Sequence, residues 1–175
     1  MTIQFSRCFA MPNADTFSVK PIGEFVHRYL LGVSIDPFAR NRTWFTHTND
    51  LNPATVAQHH MDAETFLHAM RDNGVQADVG IFDPPYSPRQ ISECYKSIGL
   101  KVGMEETQNG RLYNRVRDAL DAIMKPGGVV LSFGWQSSGM GKGRGYEPIE
   151  IALIQHGGGH NDTICIAERK LEKLL

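Results

Sequence analysis

The stretch Val79-Gly80-Ile81-Phe82-Asp83-Pro84-Pro85-Tyr86 joins a short apolar run to a carboxylate, two prolines and an aromatic ring. A short apolar run that stops at a turn signal is typical of a buried strand, so the polar residues are predicted at its carboxyl end. In an open α/β sheet, ligands bind at that edge. Proline has no N–H and holds φ at about −65°, which leaves the carbonyls of a rigid turn available as acceptors. The stretch therefore predicts a site for a substrate amino group, and an ordinary turn after a strand is the alternative.

The rest of the chain alternates between helical and strand patterns. Helices are predicted over 21–31, 60–70 and 112–124, and further strands over 33–35, 44–48, 129–133, 149–155 and 163–167. The glycine-rich segment 156–162 joins the last two strands as a hairpin. This order predicts an α/β fold with a doubly wound, mostly parallel sheet and a C-terminal antiparallel hairpin.

Composition narrows the class of protein. The 175 residues suit one domain, residues 1–175, with a loop-rich, substrate-facing insertion at about 87–111. No apolar run approaches the roughly 20 residues that span a bilayer, so no membrane contact is expected. Three cysteines without close pairing, and a start that lacks a secretory pattern, favour a cytoplasmic location. The net charge of −1 means that any contact with a nucleic acid must be local.

A second pattern lies upstream of the first. Lys20-Pro21 opens the first predicted helix, which leads into Ile35-Asp36-Pro37-Phe38-Ala39. A proline-initiated helix and a strand-end turn would each explain one segment alone. Taken together with Asp83-Pro84-Pro85-Tyr86, the order resembles the S-adenosylmethionine-dependent amino-methyltransferases of the Asp-Pro-Pro-Tyr type. The resemblance covers about residues 16–133 and is to small DNA N6-adenine methyltransferases, of the kind that phages carry, without a separate target-recognition domain.

The resemblance implies a Rossmann-like fold, S-adenosylmethionine as the cofactor and DNA as the partner. Asp83 and the Pro84 carbonyl would accept the two N–H bonds of the target amine, Pro85 would stiffen the turn, and Tyr86 would stack on a flipped base. The residues implied in cofactor binding are Thr16, Phe17, Ser18, Lys20, Asp36, Pro37, Phe38, Ala39, Asn41, Asp50, Leu51, Asp62 and Ala63. Within this set, Asp50 would hold the ribose and Asp62 the adenine amino group, and a helix N-cap is the alternative for each.

Two departures from the family qualify these expectations. Related enzymes carry glycines after Asp-Pro-Phe-Ala, whereas Arg40 and Asn41 follow here, and Asn41 is the residue expected to adopt a left-handed conformation. The missing recognition domain predicts a short or weak sequence preference. Contacts to nucleic acid are expected from Ser87, Arg89, Gln90, Lys142 and Arg144. Trp135 is expected either to line the site or to pack.

Several alternatives stay open. An N4-cytosine or RNA amine target is the enzymatic alternative, although an aspartate at position 83 follows the family's habit for adenine. The non-enzymatic alternative is a cofactor-binding module with weak activity that serves a partner. The chain is expected to be a monomer or homodimer, with an accessory recognition protein as a further candidate partner. No metal is expected, because no histidine or cysteine spacing matches a zinc site.

Overall fold

The computed structural model describes residues 2–86, 89, 92, 95, 96, 99 and 109–172. The strands are β1 (Gln4–Phe9), β2 (Ser34–Asp36), β3 (His47–Thr48), β4 (Ala77–Phe82), β5 (Met124–Gly134), β6 (Tyr146–Gln155) and β7 (Thr163–Lys170). The helices of ten or more described residues are α1 (Lys20–Tyr29), α2 (Ala63–Asp72) and α3 (Asn109–Ile123). Short 3-10 turns lie at Thr16–Ser18 and Lys142–Arg144.

The seven strands form one sheet in the order β1-β6-β7-β5-β4-β2-β3. Among these described strands only β7 runs antiparallel to its neighbours, β5 and β6. All the other pairs are parallel. The predicted fold class, a doubly wound and mostly parallel sheet with a C-terminal antiparallel hairpin, is confirmed. As a result, the carboxyl ends of β2, β3, β4, β5 and β6 share one edge of the sheet.

The strand β4 is packed on both faces, which explains its continuous apolar sequence. Val79 and Ile81 face a core built with α1, whose buried side chains are Ile22, Phe25 and Val26. The opposite core contains residues from α2 and α3. Gly80 faces that second core, where an added Cβ would lie only 2.9 Å from Met124 Sδ and 3.1 Å from Leu120 Cδ1. The absence of a side chain at Gly80 therefore lets this layer pack closely on β4.

Three details differ from the expectations. β1 was not predicted, because its six residues are all exposed and its apolar residues do not mark a buried strand. β3 begins at His47 rather than at residue 44. β5 begins at Met124 rather than at residue 129, because a bulge opposite Ala77–Val79 takes the segment Lys125-Pro126-Gly127-Gly128 into the strand.

Most of the predicted insertion at 87–111 lies outside the described residues. No helix that the structure describes is both long enough and apolar enough to cross a membrane.

Gly23 sets the distance between α1 and the 3-10 turn before it. A Cβ at Gly23 would lie 2.7 Å from the Phe17 carbonyl oxygen, which is backbone and cannot rotate away. We expect Gly23→Ala to lower the free energy of unfolding by about 1–3 kcal/mol through overpacking, despite alanine's better helix propensity. Denaturant unfolding measures the change. The matched control is Gly143→Ala, whose Cβ would meet no described atom within 4 Å, and equal stability of the two variants would contradict the prediction.

Candidate active site

Two carboxylates lie side by side where neighbouring strands end. β2 ends at Asp36, which is fully buried, and β4 is followed at once by Asp83, whose side chain is 7% exposed. The short apolar runs that form these strands stop at proline in both cases, so each acid is the last polar group before a rigid turn. The parallel pairing of β2 with β4 brings the two turns to the same edge.

Asp83 is oriented by several partners. Tyr86 Oη donates a hydrogen bond of 2.6 Å to Asp83 Oδ1. Arg42 Nη2 lies 3.6 Å from Asp83 Oδ2. Burial raises the pKa of Asp83 above its ordinary value, and Arg42, Tyr86 and Thr16 each oppose that rise. Burial and the neighbouring Asp83 charge raise the pKa of Tyr86, so its phenol stays protonated and remains a donor.

Arg42 is the residue that sequence reasoning missed. Its side chain is 6% exposed and forms ion pairs with Asp15 and Asp83, while its Nε lies 3.9 Å from Asp36 Oδ2. Its guanidinium carbon also lies 3.9 Å from the centre of the Phe17 ring. A cation in this position is stabilised both by the aromatic face and by the charges of three acids. The signal in the sequence was a basic residue in a loop between two strand ends that both carry acids.

Asp36 and Arg42 nevertheless do not form a hydrogen bond with each other through Asp36 Oδ2 and Arg42 Nε. Neither Asp36 Oδ2 nor Arg42 Nε, although both are buried, has a hydrogen-bond partner among the described residues. The other Asp36 oxygen accepts a bond of 2.9 Å from the Phe38 amide. Burial raises the pKa of Asp36 to about 7, and the Arg42 charge only partly offsets it. The cluster therefore keeps one buried acceptor and one buried donor uncommitted.

The turn after β2 forms without glycine. Arg40, not Asn41, takes the left-handed conformation, with φ of 53°, so the expectation for Asn41 was wrong. The Arg40 amide donates to Asp50 Oδ2 at 3.0 Å, and its Nη1 donates to the Ala14 carbonyl at 2.5 Å. These bonds hold a conformation that a non-glycine residue adopts only at a cost. Asn41 instead accepts a bond from the Val56 amide through its Oδ1.

Asn49, a second residue that was not anticipated, joins three loops at the same edge. Its Nδ2 donates to the Pro37 carbonyl at 3.1 Å and to the Met61 carbonyl at 2.9 Å, and its Oδ1 accepts from the Met61 amide. The side chain is fully buried. One amide thus ties the turn after β2 to the end of β3 and to the residues that precede α2.

The predicted cofactor residues fall into two groups. Pro37 and Ala39 are buried in the turn after β2, and Phe38 packs edge-on against Phe82. Asp62 caps α2 by accepting from the Glu64 and Thr65 amides, so the N-cap alternative is confirmed for it. Ala63 follows Asp62 at the start of α2. Asp50 and Leu51 follow β3 at the same edge, and Asp50 already accepts hydrogen bonds from two backbone amides. Lys20 is 87% exposed beside Glu24, and Ser18 is exposed within the Thr16–Ser18 turn.

A pocket of about 200 Å³ opens beside Tyr86. Thr16 and Trp135 contribute to its wall, as do Asn13, His160 and Asn161 from the segments after β1 and between β6 and β7. The Tyr86 and Trp135 rings meet edge-on with centres 5.7 Å apart. Trp135 therefore lines this pocket together with Tyr86, whose hydroxyl bonds to Asp83.

The predicted nucleic-acid contacts receive less support. Arg144 Nε pairs with Asp118 at 2.7 Å and its Nη1 donates to the Met140 carbonyl, so its guanidinium is already engaged within the chain. Lys142 is exposed in the same 3-10 turn, and Arg89 is exposed. Ser87 and Gln90 lie outside the described residues. Within the described ranges, no group of three His, Cys, Asp or Glu side chains is placed to hold a metal ion.

Comparison with solved structures places the fold among the methyltransferases. TrmN from Thermus thermophilus has a TM-score of 0.54 at 15% identity, over 86% of this chain and 48% of that one. A Streptococcus mutans protein assigned as a SAM-dependent methyltransferase has a TM-score of 0.52 at 10% identity, over 88% of this chain and 49% of that one. The chain therefore spans about half the length of these structures. At such identities the likeness defines the fold, a Rossmann-like methyltransferase fold, and no more. No family model and no curated protein matches the sequence.

The raised pKa of Asp36 predicts a pH-dependent contribution to stability. Its folded value of about 7 lies above its ordinary 3.8, so the folded chain binds a proton that the unfolded chain has released between these values. The contribution of Asp36 is therefore fully present below about pH 4 and is lost as pH rises to about 7. We expect the stability difference, wild type minus Asp36→Asn, to fall over this range in thermal or urea unfolding. Asp72→Asn, at a largely exposed site, should show no such trend. A wild-type minus Asp36→Asn difference that is flat from pH 4 to pH 7 would refute the assignment.

Proposed function

We propose that the chain is a DNA N6-adenine methyltransferase that uses S-adenosylmethionine and receives the target base in the pocket beside Tyr86. The observation that carries this proposal is the Asp83 carboxylate: it is buried at the end of β4, oriented by Tyr86 and Arg42, and adjacent to a pocket with two aromatic walls. An acceptor held beside aromatic rings suits a planar base that carries an amino group.

The methyltransferase fold and the chemistry of the site support the choice of cofactor. S-adenosylmethionine carries a sulfonium and an ammonium group, and supplies a methyl group when bound. The buried Asp36 Oδ2 at the end of β2 lacks a partner among the described atoms and is an acceptor suited to the ammonium group. Asp36 and the turn that follows it therefore fit such a ligand. Thr16–Ser18, the turn at residues 36–41, Asp50-Leu51 and Asp62-Ala63 would hold it.

In the proposed mechanism Asp83 and the Pro84 carbonyl accept the two N–H bonds of the target amine. The nitrogen lone pair of an aromatic amine is delocalised into the ring, and two acceptors on the N–H groups favour a more tetrahedral nitrogen whose lone pair is localised. The nitrogen gains one methyl group and loses one proton. Since the methylated ammonium is acidic, Asp83 has to orient the amine rather than act as a strong base.

Tyr86 has two roles in this proposal. Its ring, with Trp135, offers a stacking surface for a base taken out of the helix, at about 1–3 kcal/mol per stacked base. Its hydroxyl fixes Asp83 Oδ1. Replacing Tyr86 by phenylalanine would keep the stacking ring but remove the hydrogen bond to Asp83.

The choice of DNA and of adenine rests on the family resemblance, and cytosine or RNA amines are the competing targets. Arg89 and Lys142 are exposed and would be the local cations that meet phosphates. We therefore expect single-stranded or mismatched DNA to be favoured, because extrusion of the base is cheaper there.

The experiment that tests the function is incubation with labelled S-adenosylmethionine and separate DNA, RNA and protein pools, followed by nucleoside analysis. N6-methyladenine in the DNA pool is the expected product. Asp83→Ala should abolish transfer while the affinity for S-adenosylhomocysteine, measured by calorimetry, stays within a few-fold. Cofactor binding without transfer to any pool would favour the partner-module alternative, and near-normal turnover by Asp83→Ala would contradict the role of Asp83.

Tyr86→Phe should change the pH profile. Removing the phenol deprives Asp83 of a donor that lowers its pKa, so that pKa rises further. Asp83 is a stronger acceptor of an N–H bond when it is ionised, and activity is therefore expected to fall as pH falls through its pKa. We expect the acid limb of kcat/KM to move to higher pH in Tyr86→Phe and to stay in place in Trp135→Phe, which keeps an aromatic wall and does not touch Asp83. Identical acid limbs in the two variants would disprove the coupling.

A further inference from the structure

The outer edge of the sheet ends in a strand that little else covers. β1 pairs with β6 in parallel from Gln4 opposite Glu150 to Phe9 opposite Gln155, and all six of its residues are exposed. No described residue pairs with its other side. Parallel strands are normally covered on both faces, and an uncovered apolar edge invites another chain.

The side chains of β1 form one apolar face. Side chains alternate along a strand, so Ile3, Phe5, Arg7 and Phe9 share a face while Ser6 and Cys8 point to the other. Ile3 is 44% exposed, Phe5 65% and Phe9 63%. Three large apolar side chains on β1 and the residue before it exceed the scattered single residues that a monomer's surface normally shows.

The open backbone groups lie on the same odd-numbered residues. The Ala10 amide donates to the Gln155 carbonyl at 3.0 Å, so the even positions of this segment point their N–H and C=O groups toward β6. Since successive residues alternate, the corresponding groups of Phe5, Arg7 and Phe9 point away from β6.

We propose that β1 pairs in antiparallel fashion with β1 of a second copy, about a twofold axis through Ser6. A twofold axis normal to the sheet pairs each residue with one whose side chain lies on the same face of the sheet. Because side chains alternate along a strand, an odd-numbered residue must lie opposite another odd-numbered residue. The register centred on Ser6 places Ile3 opposite Phe9 and Phe5 opposite Arg7, twice each. It therefore forms two apolar pairs and two pairs of an arginine with an aromatic ring.

The neighbouring symmetric registers are less favourable. A register centred on Arg7 overlaps the strands equally well but places Arg7 opposite Arg7, which is a pair of like charges. A register centred on Phe5 shortens the overlap of Gln4–Phe9 to three residues of each strand. Self-complementarity at Ser6 is the reason for choosing a second copy over an unrelated extended peptide.

Cysteine cross-linking tests both the dimer and its register. Ser6 would form a non-hydrogen-bonded pair with its own copy, with Cα atoms about 4.5 Å apart, which is within the range for a disulfide. The two copies of the exposed Cys8 would lie about 14 Å apart, too far to join. Under oxidation, Ser6→Cys in a Cys8→Ser background should therefore give a covalent dimer, and the wild-type chain should not. Equal cross-linking of the two would overturn the proposal.

Light scattering gives the second measurement. A strand pair of this length is a small interface, so we expect a dissociation constant on the order of micromolar and a dimer at about 100 μM chain. Phe5→Lys places lysine opposite arginine and should weaken dimerisation at least about tenfold, while Gln4→Lys on the opposite face is the matched control. A wild-type monomer at about 100 μM, or equal effects of the two variants, would overturn the proposal. Unfolding curves and S-adenosylhomocysteine binding of both variants should match wild type, so failure of the dimer and failure of the proposed function are separately visible.

Discussion

The burial of Arg42 among three acids is the interaction on which the rest of the site depends. Its guanidinium joins Asp15, in the segment before α1, to the ends of β2 and β4 at Asp36 and Asp83. Asp36 and Asp83, which are buried, lose hydration at a cost on the order of several kcal/mol, and the Arg42 charge offsets part of that cost. Without Arg42 the acids could approach each other only by taking up protons. The same cation therefore determines both the local fold and the charge state of the proposed acceptor.

Much of the fold was predictable because its signals are local. The four apolar residues before Asp83 specify a strand end by themselves, and the prolines and asparagine-rich turns mark the boundaries of their neighbours. The position of Asp83, Tyr86 and the turn at Asp36 on one edge then follows from parallel pairing. The C-terminal hairpin was predictable for the same reason, since its two apolar strands flank three consecutive glycines.

The missed features depend on contacts between distant residues. Arg42 is meaningful only once Asp15 lies beside it, and Asn49 only once the Pro37 and Met61 carbonyls converge on it. β1 owes its conformation to β6, which lies more than 140 residues further along the chain, as in the pair of Gln4 and Glu150. At Arg40 a backbone preference was overruled, because bonds to Asp50 and Ala14 outweigh the intrinsic ease with which asparagine adopts φ above zero. Propensity is a weak guide where tertiary hydrogen bonds are available.

The Asn49 side chain also has a consequence for chemical ageing. Its amide nitrogen donates to two carbonyls while its oxygen accepts from one amide, so the two donated bonds require an amide and not an acid. Deamidation to aspartate would turn the two donated bonds into contacts between oxygens inside a buried site. Burial shields the group in the folded chain and leaves it open to hydrolysis whenever the chain unfolds. Retention of these bonds in a stored preparation therefore depends on how rarely Asn49 meets water.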